Sequence, residues 1–149
     1  MSDLRDHPKH AEMLGYIVST CASIEKVCCE IVAGLLGVAD AKAEAIIYSL
    51  QANRARFEIM TALAKKFAPN HIQGPLLVEL KAVQKLFNKR NDLIHNLWIT
   101  RHGEPHLHNI KHAPAQRERV VNYKEMTMLL SDLENSQNRL VSISIALRE

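Results

Sequence analysis

The sequence predicts an all-α fold, an up-and-down bundle of four helices with a short hairpin or irregular loop between the third and the fourth. Three observations predict it. Apolar residues recur at alternating steps of three and four along the long stretches. Aliphatic residues dominate while aromatics are sparse, with one Trp and five Gly, which suits helices better than a sandwich. The 149 residues make one domain, 1–149, large enough for a real core and too short for two ordinary ones.

The first helix is predicted from about Lys9 to Leu36. Leu14, Ile17, Cys21, Ile24, Cys28, Ile31 and Leu35 keep the alternating spacing, and Gly37 is a natural stop. Glu25 sits beside this seam, either as a partly buried carboxylate that wants a cationic or donor partner or as an ordinary boundary glutamate with its head in water. A second helix is predicted to start after Asp40 and end before Pro69, with Ile46, Ile47, Leu50, Phe57, Met60, Ala64 and Phe67 as its apolar face. Arg54 lies on its flank, where it is a candidate partner for Glu25 or a solvated arginine whose stem covers the core edge. Residues 69–74 read as a connection, and Pro75 fits the first turn of a third helix that runs to about Trp98.

Periodicity then breaks from about Ile99 to Asn122. Arg101-His102-Gly103-Glu104-Pro105 is turn chemistry between two short apolar runs. Asn122 opens the last helix, with Glu125 in capping-box position, Val121 and Met126 as a hydrophobic staple, and an apolar face from Met126 to Leu147.

No apolar run approaches the roughly 18 residues of a spanning helix, and the N-terminal residues lack the pattern of a signal peptide. Cys21, Cys28 and Cys29 share one predicted helix, so reduced core thiols in a cytoplasmic protein are expected. The net charge is +3. Between Lys81 and Lys124 there are nine basic residues against three acids, together with five of the eight histidines. That local excess favours a polyanionic partner such as nucleic acid, although a solvated surface fits it equally.

One position in the third helix breaks its seam. Leu76, Leu80, Val83, Phe87, Ile94 and Leu97 keep the alternation, but Arg90 stands where an apolar residue is demanded. An arginine is almost never buried without a partner or a job. Five residues on stands His95, whose imidazole exchanges protons near neutral pH. On an ideal helix the two lie about 140° apart around the axis and about 7.5 Å along it, so they do not share a face. Convergence requires a bent helix or a second copy of the chain, an indirect argument for a symmetric homodimer. Asn91 and His95, four apart, do share a face, which lets the amide orient the ring. Asp92 is placed to position Arg90 or a neighbouring base.

These residue types suit cleavage of an RNA phosphodiester. An imidazole can take the proton of a ribose 2′-hydroxyl or return one to the leaving oxygen, and a guanidinium can hold two phosphate oxygens as charge develops. A structural pair, with arginine and histidine held in internal contacts, is the bland alternative.

Arg90-Asn91-Asp92-Leu93-Ile94-His95 resembles the R-N-x-x-x-H form of the Arg-x4–6-His motif of HEPN-domain proteins. The order of long helices, with the motif toward the end of the third, is similar, as is the Gly15-to-Gly37 stretch with Glu25 in an apolar helix. The resemblance implies a dimeric helical bundle whose paired motifs face a shared cleft. It further implies metal-independent endoribonuclease activity, without a cofactor, in a toxin–antitoxin or other defence setting, where an antitoxin or other protein is a possible partner. Arg90 and His95 would be the catalytic pair, Asn91 their polar companion, and Asp92, Glu25 and Arg54 supporting residues. The alternative within the resemblance is a nuclease-silent dimer that binds a protein or nucleotide. His102, His106, His108 and His112 form a second cluster, read as loop histidines on a basic surface in preference to a metal site. Trp98 is read as a core lid more readily than as a stacking platform for a base.

Overall fold

The computed structural model describes residues 4–109 and 118–149. A single 3-10 turn, Leu4–Asp6, leads into five helices: α1 Pro8–Leu36, α2 Asp40–Tyr48, α3 Asn53–Phe67, α4 Asn70–His95 and α5 Tyr123–Ala146. Between α4 and α5 lie β1 Leu97–Arg101, β2 Glu104–His108 and β3 Glu118–Val120. They form one antiparallel sheet in the order β1-β2-β3. The expectation of an all-α four-helix bundle is therefore corrected on two counts, an extra helix and a sheet.

The extra helix comes from a break at residues 49–52. Ile47 and Phe57 are both buried, yet ten residues of continuous helix would set them about 80° apart. Breaking the chain lets each half turn its own face inward. Arg56 Nε donates to the Leu50 carbonyl at 2.7 Å, and its guanidinium lies over the Tyr48 ring at 5.3 Å. Orphan carbonyls at the break thereby gain a donor.

Helix α4 starts earlier than predicted, at Asn70, and Pro75 lies inside it. Pro69 is the true boundary, and Gln73 donates back to the Ala64 and Lys65 carbonyls that end α3. The helix also stops earlier, because Asn96 adopts extended dihedrals (φ −102°, ψ 155°) and the chain passes directly into β1.

The sheet packs one face inward. Trp98, Pro105 and Leu107 are buried, whereas Arg101 and Glu104 are exposed. The turn joining β1 to β2 has two residues, His102 (φ 52°) and Gly103 (φ 80°), flanked by the Arg101–Glu104 pair. Positive φ at both centres is the requirement of a type I′ hairpin, whose twist matches that of the strands. A Cβ at Gly103 meets open space, so only the backbone conformation opposes it. Gly103→Ala is expected to cost about 1–2 kcal/mol, read as a lowered denaturation midpoint.

Helix α1 is the axis of the core. Its buried line, Ile17, Cys21, Ile24, Cys28, Ile31 and Leu35, follows the predicted seam. Met126, Leu133 and Leu140 of α5 and Leu76, Leu80, Val83 and Phe87 of α4 complete the same cluster. Gly37 ends α1 in the left-handed region (φ 64°), as a C-cap glycine does. Asn122 caps α5 by accepting from the Lys124 amide at 2.8 Å. Among the described residues no helix is long and apolar enough to cross a membrane.

The N-terminal turn of α1 is tied to the sheet by an aromatic group. His10 meets the rings of His7, Trp98 and Tyr123 edge-on and bonds the Val121 carbonyl through Nε2 at 3.3 Å. His7 bonds Thr100 Oγ1 at 2.8 Å. Burial pushes His10 below the ordinary imidazole range; the Val121 carbonyl opposes this, and His7 adds to it. The folded state thus resists a proton that the unfolded chain accepts from about pH 6.5 downward. Stability should fall as pH drops through that region and level off below the folded-state value. Thermal melts of wild type and His10→Gln across this range should show the variant with the shallower slope.

Candidate functional site

The last two turns of α4 carry the sequence motif, and three side-chain bonds close them. Asn96 Nδ2 donates to both the Asp92 carbonyl and Asp92 Oδ1, each at 2.7 Å. Trp98 Nε1 donates to the Leu93 carbonyl at 2.8 Å. Trp98 is therefore a buried brace on the helix end, not a platform open to a base.

The buried line of α4 shifts within this segment. Leu86 and Leu93 are buried, while Ile94 is half-buried and Leu97 exposed. Leu93 faces Met128 and Leu129 of α5. Arg90 consequently sits at the edge of the seam rather than on it, half-buried. Its guanidinium lies over the Phe87 ring, 5.1 Å from the centroid. Among the described residues its buried Nε has no hydrogen-bond partner. It faces α1, near Cys21, whose thiol is pushed up to about 11 by burial, with Arg90 pulling it down and Glu25 pushing it up.

Glu25 is half-buried and lines a narrow cleft with Cys28, Asn53, Arg56, Phe57 and Phe87. Arg54 does not join it. That arginine is exposed and pairs with Glu58 one turn along its own helix, at 2.8 Å. Arg56, two residues on, is the arginine that reaches the cleft of Glu25.

His95 ends α4 and is exposed. It lines an open groove of about 560 Å³ with Asn91, Asp92, Asn96, Leu97 and His108. Arg90 is not among the groove's lining residues. Within one chain, then, the predicted catalytic pair does not converge, as the helical angle between the two positions requires. Asn91 shares the groove with His95, but no hydrogen bond joins them. Asp92 does not position Arg90. Its Oδ2 accepts from Arg119 at 2.7 Å, and Arg119 also binds Glu125 at 2.8 Å. Glu125 therefore serves β3 rather than a capping box.

The sheet contributes a constellation that the linear sequence did not disclose. His106 and His108 alternate along β2 and so share its outer face. His108 stands opposite Leu97 on one side and Glu118 on the other. Its Nδ1 lies 3.2 Å from Glu118 Oε1. Arg101 grips the same carboxylate with two bonds, 2.7 and 2.6 Å, and holds it below the usual carboxylate range; burial opposes this, and His108 adds to it. The one sequence signal was the His106/His108 alternation. Cross-strand partners were not readable from it. Among the described residues no three His, Cys, Asp or Glu side chains gather closely enough to hold a metal ion. His112 lies outside those residues.

Of the nine basic residues between Lys81 and Lys124, Arg101 is paired internally with Glu118 and Arg119 with Asp92 and Glu125. Lys81, Lys85 and Lys89 remain exposed along α4.

No family model, curated protein or solved structure matches this chain. Its chemistry has to be read from the groove and the motif helix.

Proposed function

We propose that the chain is a metal-independent endoribonuclease of HEPN type, working in the cytosol as a homodimer, with a role in a toxin–antitoxin or other defence system. In this reading His95 is the acid/base and Arg90 the phosphate and transition-state contact. Asn91 lines the substrate groove beside His95. One observation carries the reading. Arg90 sits half-buried at the edge of the α4 seam with its guanidinium over the Phe87 ring, and it is bonded to no carboxylate among the described residues, so among them its charge is uncommitted to an acid. A phosphate diester supplies the missing anion and a bidentate acceptor. His95 is open to solvent in a groove large enough for a nucleotide, which supports the second half of the pair. Because the two side chains diverge on one helix, the competent site takes Arg90 from one protomer and His95 from the other.

A second reading is a nuclease-silent dimer that binds a protein or nucleotide, and the divergence of Arg90 and His95 within one chain favours it. Purified protein incubated with single-stranded RNA, with and without EDTA, separates the two. Cleavage in both conditions, leaving a 2′,3′-cyclic phosphate, supports the ribonuclease. Intact RNA in both conditions removes it.

A further inference from the structure

We infer that His108 is a second catalytic imidazole, the proton donor to the leaving oxygen, with Glu118 and Arg101 as its positioning residues. The assignment rests on the ribonuclease reading above and adds to it a group from the sheet.

Three features of the groove lead to it. His95 and His108 line the same cavity, and the β1–β2 register sets His108 opposite Leu97, two residues beyond His95. Both rings therefore reach one substrate without a second chain. Next, Glu118 fixes the tautomer of His108. A carboxylate only accepts, so the Nδ1 that faces it carries hydrogen and the chemistry falls to Nε2. Finally, the carboxylate is itself anchored, by the bidentate fork of Arg101. The order Arg101–Glu118–His108 spans all three strands and holds the ring against rotation. Of the two rings, His108 is the one with a carboxylate beside it, and no described acid is paired with His95, which assigns the acid role to 108 and the base role to 95.

The step balances with these groups alone. His95 takes the proton of the ribose 2′-hydroxyl while the 2′ oxygen forms its bond to phosphorus. The P–O5′ bond breaks, its electron pair passes to the 5′ oxygen, and His108 Nε2 delivers a proton there. The products are a 2′,3′-cyclic phosphate and a free 5′-hydroxyl. His95 finishes protonated and His108 neutral, and exchange with solvent resets both.

The leaving group supplies the test. A ribonucleotide 3′-para-nitrophenyl phosphodiester departs without being protonated, whereas an ordinary RNA linkage does not. Rates on both substrates are compared for wild type, His108→Gln, Glu118→Gln and His95→Gln, with thermal melts to establish folding. His108→Gln should lose about 10²–10⁴-fold on RNA and less than about 10-fold on the aryl ester. Its pH–rate profile should lose the descending limb, which reports the acid. His95→Gln should fail on both substrates. Glu118→Gln should lose less than His108→Gln, again on RNA alone, and it carries the comparison if His108→Gln does not fold. Equal losses on the two substrates, or no loss on RNA, overturn the role of His108 and leave the ribonuclease standing. A wild-type protein that cleaves neither substrate overturns both.

Discussion

His95→Ala and Arg90→Ala proteins are expected to fold and dimerise as wild type does, and to lose RNA cleavage by about 10²–10⁴-fold each. For His95 the expectation of a normal fold follows from its exposure at the end of α4. Removing its ring opens no cavity and leaves no buried polar group unpaired. For Arg90 the argument is sharper. Its buried Nε has no partner among the described residues, so the arginine is a costly presence in a helix that would pack more easily around methyl groups. Arg90→Leu should therefore match or exceed the wild-type melting temperature while remaining inactive, the pattern of a site held at the expense of stability. Mixing the two inactive single variants offers a separate check on the shared site. If each site takes Arg90 from one protomer and His95 from the other, heterodimers regain one intact site and activity returns to about a quarter of the wild-type rate when subunits exchange at random. Variants that melt well below wild type would instead mark Arg90 and His95 as structural contacts.

Phe87→Ala is expected to be the most destabilising single change near the motif, by about 3–5 kcal/mol. The ring is almost wholly buried, meets Phe57 edge-on with centroids 5.6 Å apart, and supports the Arg90 guanidinium on its face. Its loss empties the junction of α1, α3 and α4. Phe87→Leu separates packing from charge. Leucine retains much of the volume but has no π face, so the stability cost should be about 1–2 kcal/mol. Cleavage should still fall, because nothing then holds the guanidinium in place. Denaturant midpoints and single-turnover rates on the two variants measure the two contributions independently.

The long helices were legible because their signals are local. In α1 an unbroken seam ends at a glycine, and in α5 an asparagine opens a continuous apolar face. Helix α2 and helix α3 were read as one because Asp40 and Pro69 bracket them convincingly. The phase slip between Ile47 and Phe57 shows only when both are required to be buried. A hairpin at Arg101–Pro105 was one of two readings of the segment between the long helices. A three-stranded sheet was not, for a different reason. Strand β2 contains a proline, and β3 is the three residues Glu118–Val120, with no alternation long enough to register. Such strands exist only through pairing, β2 with β1 and β3 with β2, which is a tertiary fact. The motif itself was readable, including the angular divergence of Arg90 and His95, since helix geometry alone fixes it. The His108–Glu118 pair and the Arg119–Asp92 bond were not, because each joins residues from different elements. The proposed link from Glu25 to Arg54 failed by two residues, since Arg56, on the same helix, is the arginine that lines the cleft of Glu25.

The way α4 ends has one more effect. A helix C-terminus presents about half a negative charge through its unpaired carbonyls, and such a pole repels phosphate. Here the amide of Asn96 and the indole of Trp98 turn N–H groups onto two of those oxygens. The macrodipole is muted at the one place where His95 would have to meet a polyanion.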